Sequence, residues 1–379
     1  MPRWVREKRK MPYTIPSSWQ SLDVNLAHDW LTGMRGGERC LELLCEGFPD
    51  ATIYTLIHNA EQISDTINRH QVQASAMNRL PWIRNHFRVL LPFFPRFVEA
   101  IRPANSDVMI STSHSVIKGL RPPADTRHIC YCFTPMRYGM FYHEYFGTNP
   151  AKQLIVRPML SRLRAWDTRV SVRVDRFIAI SEHVKRRIRY FYGRESDVVY
   201  PPVDLDRCTP GRNGTHDYDL IVSALVPYKR VELAVEAYNH LGYPLKVVGT
   251  GSQHRKLRRM AGPSVEFLGW REDEEVLDLY RNCRFLIFPG EEDFGIVPLE
   301  AQACGRPVVA FGRGGALESI VHGETGIHFR KQSPEDLLAG IEEAAGQTWD
   351  SEKIRKHSEK FGIQQFIDGI ARNITACFE

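Results

Sequence analysis

Several signals that would settle a reading quickly are missing from this chain. Its eight cysteines (Cys40, Cys45, Cys130, Cys132, Cys208, Cys283, Cys304 and Cys377) form no Cys-x-x-Cys pair and no regular framework. Neither a zinc ribbon nor a disulfide-stapled small domain is therefore supported. Most of them lie in apolar stretches and read as reduced core thiols, which favours a cytosolic compartment. No apolar run approaches the roughly 20 residues of a membrane span. The basic first 16 residues lack the apolar segment of a secretory signal. There is no Gly-x-Gly-x-x-Gly and no P-loop, so a nicotinamide enzyme or a P-loop ATPase is unsupported. No metal-binding Asp-x-Asp is recognised after a strand, and no nucleic-acid motif or stacking platform is found. With 27 Gly and 23 Pro in 379 residues, fibrous and disordered classes are excluded as well.

What remains is a globular chain too long for one ordinary core and suited to two domains. Its net charge of +5 hides an asymmetry: residues 1–200 carry +11 and residues 201–379 carry −6. The first half expects an anionic neighbour. Short apolar runs alternate with helical patterns throughout. Strands are predicted at 23–28, 51–56, 107–111, 128–133, 175–181 and 197–200, with helices at 38–46, 154–172 and 182–192. A second series has strands at 219–225, 245–249, 265–268, 284–289, 307–310 and 326–329. Helices at 230–241, 252–260, 273–282, 295–304 and 316–321 lie among them. Runs such as Leu220-Ile221-Val222 and Phe285-Leu286-Ile287-Phe288 are too continuously apolar for half-exposed strands. They suit parallel strands covered on both faces. The fold class is thus α/β, with two doubly wound Rossmann-like domains facing a cleft. The divisions expected are a basic tail (1–20), a first domain (21–203), a linker (204–217), a second domain (218–360) and a C-terminal helix (361–379) returning to the first domain.

Three loops of the second half, and a counterpart in the first, carry the chemistry. In Pro289-Gly290-Glu291-Glu292-Asp293-Phe294-Gly295-Ile296-Val297, a buried strand gives way to an acidic turn and a helix start. A helix N-terminus offers unpaired N–H groups to hydroxyl or phosphate oxygens. Glu292 and Glu300, about two turns apart, are acceptors able to hold hydroxyls on two parts of one ligand. The plainer alternative makes them a capping acid and a surface acid. Lys229 and Arg230 follow the first strand of the second series and suit a diphosphate clamp, or else are two solvated charges. Gly312-Arg313-Gly314-Gly315 and, in the first half, Gly33-Met34-Arg35-Gly36-Gly37 are turns whose amides can approach an anion closely.

Together these pieces resemble the retaining glycosyltransferases of family four, which have the two-domain GT-B fold. The resemblance is closest to their bacterial mannosyltransferase-like branch of surface-polysaccharide assembly. It runs through His28-Asp29-Trp30 with Arg35-Gly36-Gly37-Glu38, Thr134-Pro135-Met136-Arg137-Tyr138, Tyr200-Pro201-Pro202-Val203-Asp204, Val226-Pro227-Tyr228-Lys229-Arg230, the paired glutamates, and Gly312 to Glu318. The resemblance implies that Glu292, with the amides of Phe294, Gly295 and Ile296 and the neighbouring Val297, holds the transferred sugar. Glu300 would hold the ribose, and Lys229 and Arg230 the diphosphate. Gly36 and Gly37, with Gly314 and Gly315, would approach the phosphates, and the loop after 265–269 would face the base. It departs at Ala224, where the pattern has Arg, and at Phe133, where it has a His beside the donor sugar. Each such loss typically costs about 2.7–4 kcal/mol in the transition state, for which Arg230, His114, Arg137 or Tyr138 would compensate.

The expectation is a retaining transfer of a hexose, best mannose from GDP-mannose, to a lipid-diphosphate-linked glycan, with no cofactor and no catalytic metal. A UDP-sugar donor and a weakened, nucleotide-sugar-binding scaffold are the alternatives. Residues 84–97 mix cations with aromatics, and residues 151–200 hold twelve Lys and Arg. This suits peripheral contact with an anionic inner-membrane face, and a nucleic-acid partner is not expected.

Overall fold

The computed structural model describes residues 13–80, 83, 87–136, 150–211 and 217–379. Two compact units emerge: one runs to Pro201 and takes in Phe366–Glu379, the other is Pro202–Gln365.

The first unit is built on seven strands: β1 (Val24–His28), β2 (Thr52–Thr55), β3 (Val72–Ala74), β4 (Val108–Ser113), β5 (Arg127–Cys132), β6 (Arg176–Ala179) and β7 (Ser196–Val198), in the order β3-β2-β1-β4-β5-β6-β7. Each neighbouring pair in this order is parallel. All residues of β1 and β4 are buried, the polar Asn25, His28, Ser111, Thr112 and Ser113 included, as in strands covered on both faces. The edge strand β3 was not foreseen, because Val72-Gln73-Ala74 is too short and polar to stand out. Trp30, Phe87, Phe94, Leu163 and Trp166 anchor one face of the core. The helix Ile363–Thr375 belongs to this unit from Phe366 onward. Phe366 meets Tyr131 edge-on at 5.5 Å, and Arg176 Nε donates to Asn373 Oδ1 at 2.7 Å.

The second unit has six parallel strands: β8 (Asp219–Val222), β9 (Leu245–Val248), β10 (Val265–Gly269), β11 (Leu286–Phe288), β12 (Val308–Phe311) and β13 (Gly326–Phe329), ordered β10-β9-β8-β11-β12-β13. Both sheets reverse direction beside their first strand, the doubly wound pattern, which places a crevice at β1/β4 and another at β8/β11. Two further helices, Pro334–Ala345 and Ser351–Ser358, close this unit. The first is capped by Ser333, whose Oγ accepts from Asp336 N.

Two expectations change. The described part of the segment read as a linker is held on the second unit: Arg355 donates to the carbonyls of Leu205, Cys208 and Ala303, and Arg281 to those of Arg207 and Thr209. Polar composition there marks a segment bonded through its backbone, not a free one. Within residues 84–97, Phe87, Leu91 and Phe94 are buried in the core cluster that holds Trp30, so part of the segment's apolar surface is turned inward. Among the described residues of that segment, Val89 and Phe93 are exposed large hydrophobics. Arg137 and Tyr138 lie outside the described residues, as do the first twelve residues and 212–216.

Candidate functional site

At the β8/β11 crevice, three loops lock together. After β8 the chain makes a short 3-10 turn, Pro227–Lys229, and Arg230 then takes a left-handed backbone (φ 54°). This is the one non-glycine residue with positive φ among the described residues, the kind of local strain that concentrates at functional loops. The Lys229 ammonium meets the Glu292 carboxylate from the loop after β11. Both side chains keep a little over a seventh of their surface open. Gly290 permits the meeting: a Cβ there would stand 3.0 Å from Lys229 Cα and from Tyr228 O. The loop after β12 closes the platform, with Gly315 N donating to Glu292 O at 2.8 Å. A Cβ on Gly315 would fall 2.1 Å from Phe294 Cα, and one on Gly314, where φ is +63°, would fall 2.3 Å from Glu292 O. The glycines expected to approach an anion are thus required first by contact with the Glu292–Phe294 backbone.

The helix Ile296–Ala303 starts at Gly295 (φ 85°) with no side-chain cap, so its first N–H groups are left for other acceptors. Glu300 is not a plain surface acid. Tyr280, almost wholly buried, donates its hydroxyl to Glu300 Oε2 at 2.9 Å. Burial, with Glu300 close by, pushes that phenol well above its ordinary pKa, so it stays a donor. Tyr280 was missed because nothing local distinguishes it from a core tyrosine on an amphipathic helix. Ala224 is exposed at the end of β8 and supplies no cation. In each of the Asp-x-Asp spacings at 204–206 and 217–219, one acid is engaged by the protein itself. Asp204 caps the amides of Asp206 and Arg207, and Asp219 holds Tyr238 and Arg284.

The first unit gathers His28, Asp29, Glu38, His114 and Phe133 at the β1/β4 crevice. Asp29 is fully buried and accepts the amides of His114, Ser115, Val116 and Ile117 at 2.6–2.9 Å. Burial alone would raise its carboxyl. His114 beside it, those amides and His28 outweigh burial and hold it below the usual carboxylate range. His28 Nδ1 bonds Thr112 Oγ1 at 2.7 Å, and its Nε2 lies 3.8 Å from Glu38, an ion-pair distance without a hydrogen bond. Gly37 is filled in: a Cβ there would sit 3.3 Å from the Phe133 ring and 3.5 Å from His28. Gly36 has nothing within 4 Å and stays open. The sequence singled out Asp29 only as part of a motif; its role in binding the β4 loop is visible only in the fold.

Residues 205–361 match the family Glycosyl transferases group 1, and residues 34–207 match Glycosyltransferase Family 4. Between them the two matches span residues 34–361, and both are to glycosyltransferase families. A D-inositol 3-phosphate glycosyltransferase of Geodermatophilus obscurus is 29% identical over 56% of this chain and 55% of its own length. Human alpha-1,3/1,6-mannosyltransferase ALG2 is 31% identical over 39% of this chain and 37% of its own. The chain spans little more than half the length of the first curated relatives it matches. The solved structure of Anabaena HepE with UDP and glucose shares the fold at a TM-score of 0.65 and 16% identity, covering 94% of this chain and all of that one. Among the described residues no helix is long and apolar enough to cross a membrane, and all eight cysteines are free thiols.

Proposed function

We propose that the protein transfers a hexose with retention, best mannose from GDP-mannose, onto a lipid-diphosphate-linked glycan in bacterial polysaccharide assembly. The observation that carries this reading is the Lys229–Glu292 meeting at the β8/β11 crevice, a cation and a hydroxyl acceptor fixed side by side. Glu292 holds sugar hydroxyls with the amides around Phe294, Gly295, Ile296 and Val297, and Glu300, steadied by Tyr280, holds the ribose. Lys229, Arg230 and the helix N-terminus carry the leaving diphosphate without a metal. Gly314 and Gly315 shape the platform, and Gly36 offers an open amide face. The acceptor hydroxyl attacks from the face the diphosphate leaves, and the donor phosphate takes its proton.

Similarity to a mannosyltransferase supports the sugar, and the fold shared with a UDP-bound structure supports a UDP-hexose as the second reading. The test is purified protein with GDP-mannose, UDP-glucose and UDP-galactose against a membrane-extract acceptor. Mass spectrometry reads transfer, NMR reads the new anomeric centre, and EDTA is present in one arm. We expect mannose transfer with retention, insensitive to EDTA. A UDP-hexose product selects the second reading, donor binding without turnover selects a scaffold, and an inverted product or no nucleotide-sugar binding overturns the proposal.

We further propose a cytoplasmic, peripheral place at an anionic inner-membrane face, with lipid phosphate met by the first unit. The helix Glu182–Tyr192 carries Lys185, Arg186, Arg187 and Arg189, and Tyr190 is 83% exposed beside them. Co-sedimentation with phosphatidylglycerol vesicles is expected to fall as salt rises. Absent or salt-insensitive binding would remove this part.

A further inference from the structure

Residues from the helices Pro150–Val170 and Glu182–Tyr192 of the first unit line a cavity of about 250 Å³. None of its lining residues is among those gathered at the β1/β4 crevice. The volume falls below the roughly 300–1,000 Å³ of drug-sized ligand sites and suits one small ring. Pro135 and Met136, which follow β5, and the half-buried Phe191 supply apolar surface. Asp167 and Tyr192 supply a buried polar part: Tyr192 donates its hydroxyl to Asp167 Oδ2 at 2.6 Å, and Lys118 neutralises Asp167 from 2.5 Å. A carboxylate so engaged still has lone pairs for a further donor. Arg164 and Thr168, exposed and four residues apart on one helix face, complete the lining. Arg164 makes no hydrogen bond, ion pair or ring contact among the described residues, so the fold makes no use of its planar fork of donors. A small cavity with an aromatic side, a few convergent polar groups and a buried ionised cluster is the usual form of a ligand site.

We propose that this cavity is a carbohydrate subsite, which takes one neutral pyranose ring of the acceptor glycan against Phe191 while Arg164 donates to two adjacent hydroxyls. A pyranose has what the lining asks for: a C–H face for the aromatic ring, and vicinal hydroxyls that both accept from a guanidinium and donate to a carboxylate. A phosphate fits less well, since it would gain one exposed cation, screened by salt, and would lie beside Asp167. That the ring belongs to an acceptor rests on the transferase reading above; that a sugar binds here does not. The subsite holds the glycan and takes no part in the chemistry.

Saturation-transfer NMR on the full chain tests this, with methyl α-D-mannoside, methyl α-D-glucoside and methyl α-D-galactoside as probes and inorganic phosphate as competitor. We expect at least one glycoside to bind and Arg164→Ala to weaken it about tenfold, the effect of losing charge-assisted hydrogen bonds to a ligand. Arg164→Lys should retain only part of the affinity, because an ammonium keeps the charge and loses the fork. Phe191→Leu should weaken binding too. Glu292→Gln should bind the glycoside as wild type does, because it alters the other unit. The thermal midpoint of Arg164→Ala should match wild type, its side chain being exposed and unpaired. The proposal is overturned if no glycoside binds, or if Glu292→Gln abolishes binding that Arg164→Ala spares. It is overturned as well if phosphate displaces the glycoside and Arg164→Lys equals wild type, which would make the cavity an anion site. Glycoside binding that depends on Arg164, in a protein that transfers no sugar, keeps the subsite and removes the transferase reading. Transfer with no effect of Arg164→Ala on glycoside binding does the reverse.

Discussion

Replacing Lys229 with alanine is expected to lower the rate of sugar transfer by about 10²–10³, the usual cost of removing one preorganised charge from a developing anion. Three features of the second unit set this magnitude. The ammonium is fixed by Glu292 and by the close passage of Gly290 beneath its backbone, so little reorganisation is needed when a diphosphate arrives. Ala224 supplies no second cation at the end of β8, which leaves Lys229 with more of the work. Arg230 is the nearest substitute, yet its guanidinium is engaged with Glu232 at 3.3 Å. The loss should fall mainly on kcat, because charge on the leaving group grows toward the transition state. Stability should change by less than about 1 kcal/mol, since the pair remains partly open to water. Lys229→Ala combined with Glu292→Gln should cost less than the sum of the two, as expected for groups that act on each other. A Lys229→Ala enzyme within fivefold of wild type in kcat would show that the crevice handles the diphosphate elsewhere.

Much of this site was legible because its parts are loops at strand ends, and strand ends are marked by abrupt changes from apolar to glycine-rich or charged sequence. The helices Glu182–Tyr192 and Asp273–Asn282 fell where their periodicity placed them. The sheets followed from runs such as Leu220-Ile221-Val222. What was not legible has a common cause: it depends on partners far along the chain. Gly314 and Gly315 look like anion-binding glycines, but the atoms that forbid a side chain there belong to Glu292 and Phe294. Gly37 looks like its open neighbour Gly36 until Phe133 and His28 are brought against it. Phe87 and Phe94 alternate with cations as a membrane-surface segment does, and only the fold turns them inward to Trp30. Glu300 reads as a surface acid unless Tyr280, twenty residues earlier, is known to donate to it.

The largest stability effect is expected at a residue that composition gives no reason to notice. Lys118 sits in an apolar stretch, Val116-Ile117-Lys118-Gly119-Leu120, and is completely buried. Its ammonium approaches Asp167 Oδ1 to 2.5 Å, donates to Ser115 O at 2.7 Å and lies 5.4 Å from the centre of the Tyr192 ring. Tyr192 in turn donates its hydroxyl to Asp167 Oδ2 at 2.6 Å. One pair thus ties the β4 loop to the helices Pro150–Val170 and Glu182–Tyr192. Burial alone would depress the Lys118 ammonium, but Asp167 outweighs it and holds its pKa above the ordinary value, so the charge is kept. Lys118→Met leaves Asp167 buried without its cation and should cost about 3–5 kcal/mol, read as a lower calorimetric midpoint and a lower urea midpoint. Lys118→Met with Asp167→Leu removes both charges and should recover most of that loss, because a matched apolar pair escapes the desolvation that a single orphaned charge suffers. If the single variant unfolds like wild type, or the double variant is worse than the two singles added, the pair does not hold these elements together. The same measurement separates this lysine from Lys229. Loss of the buried cation lowers stability, and loss of the open one lowers turnover, although both are lysines paired to a single carboxylate.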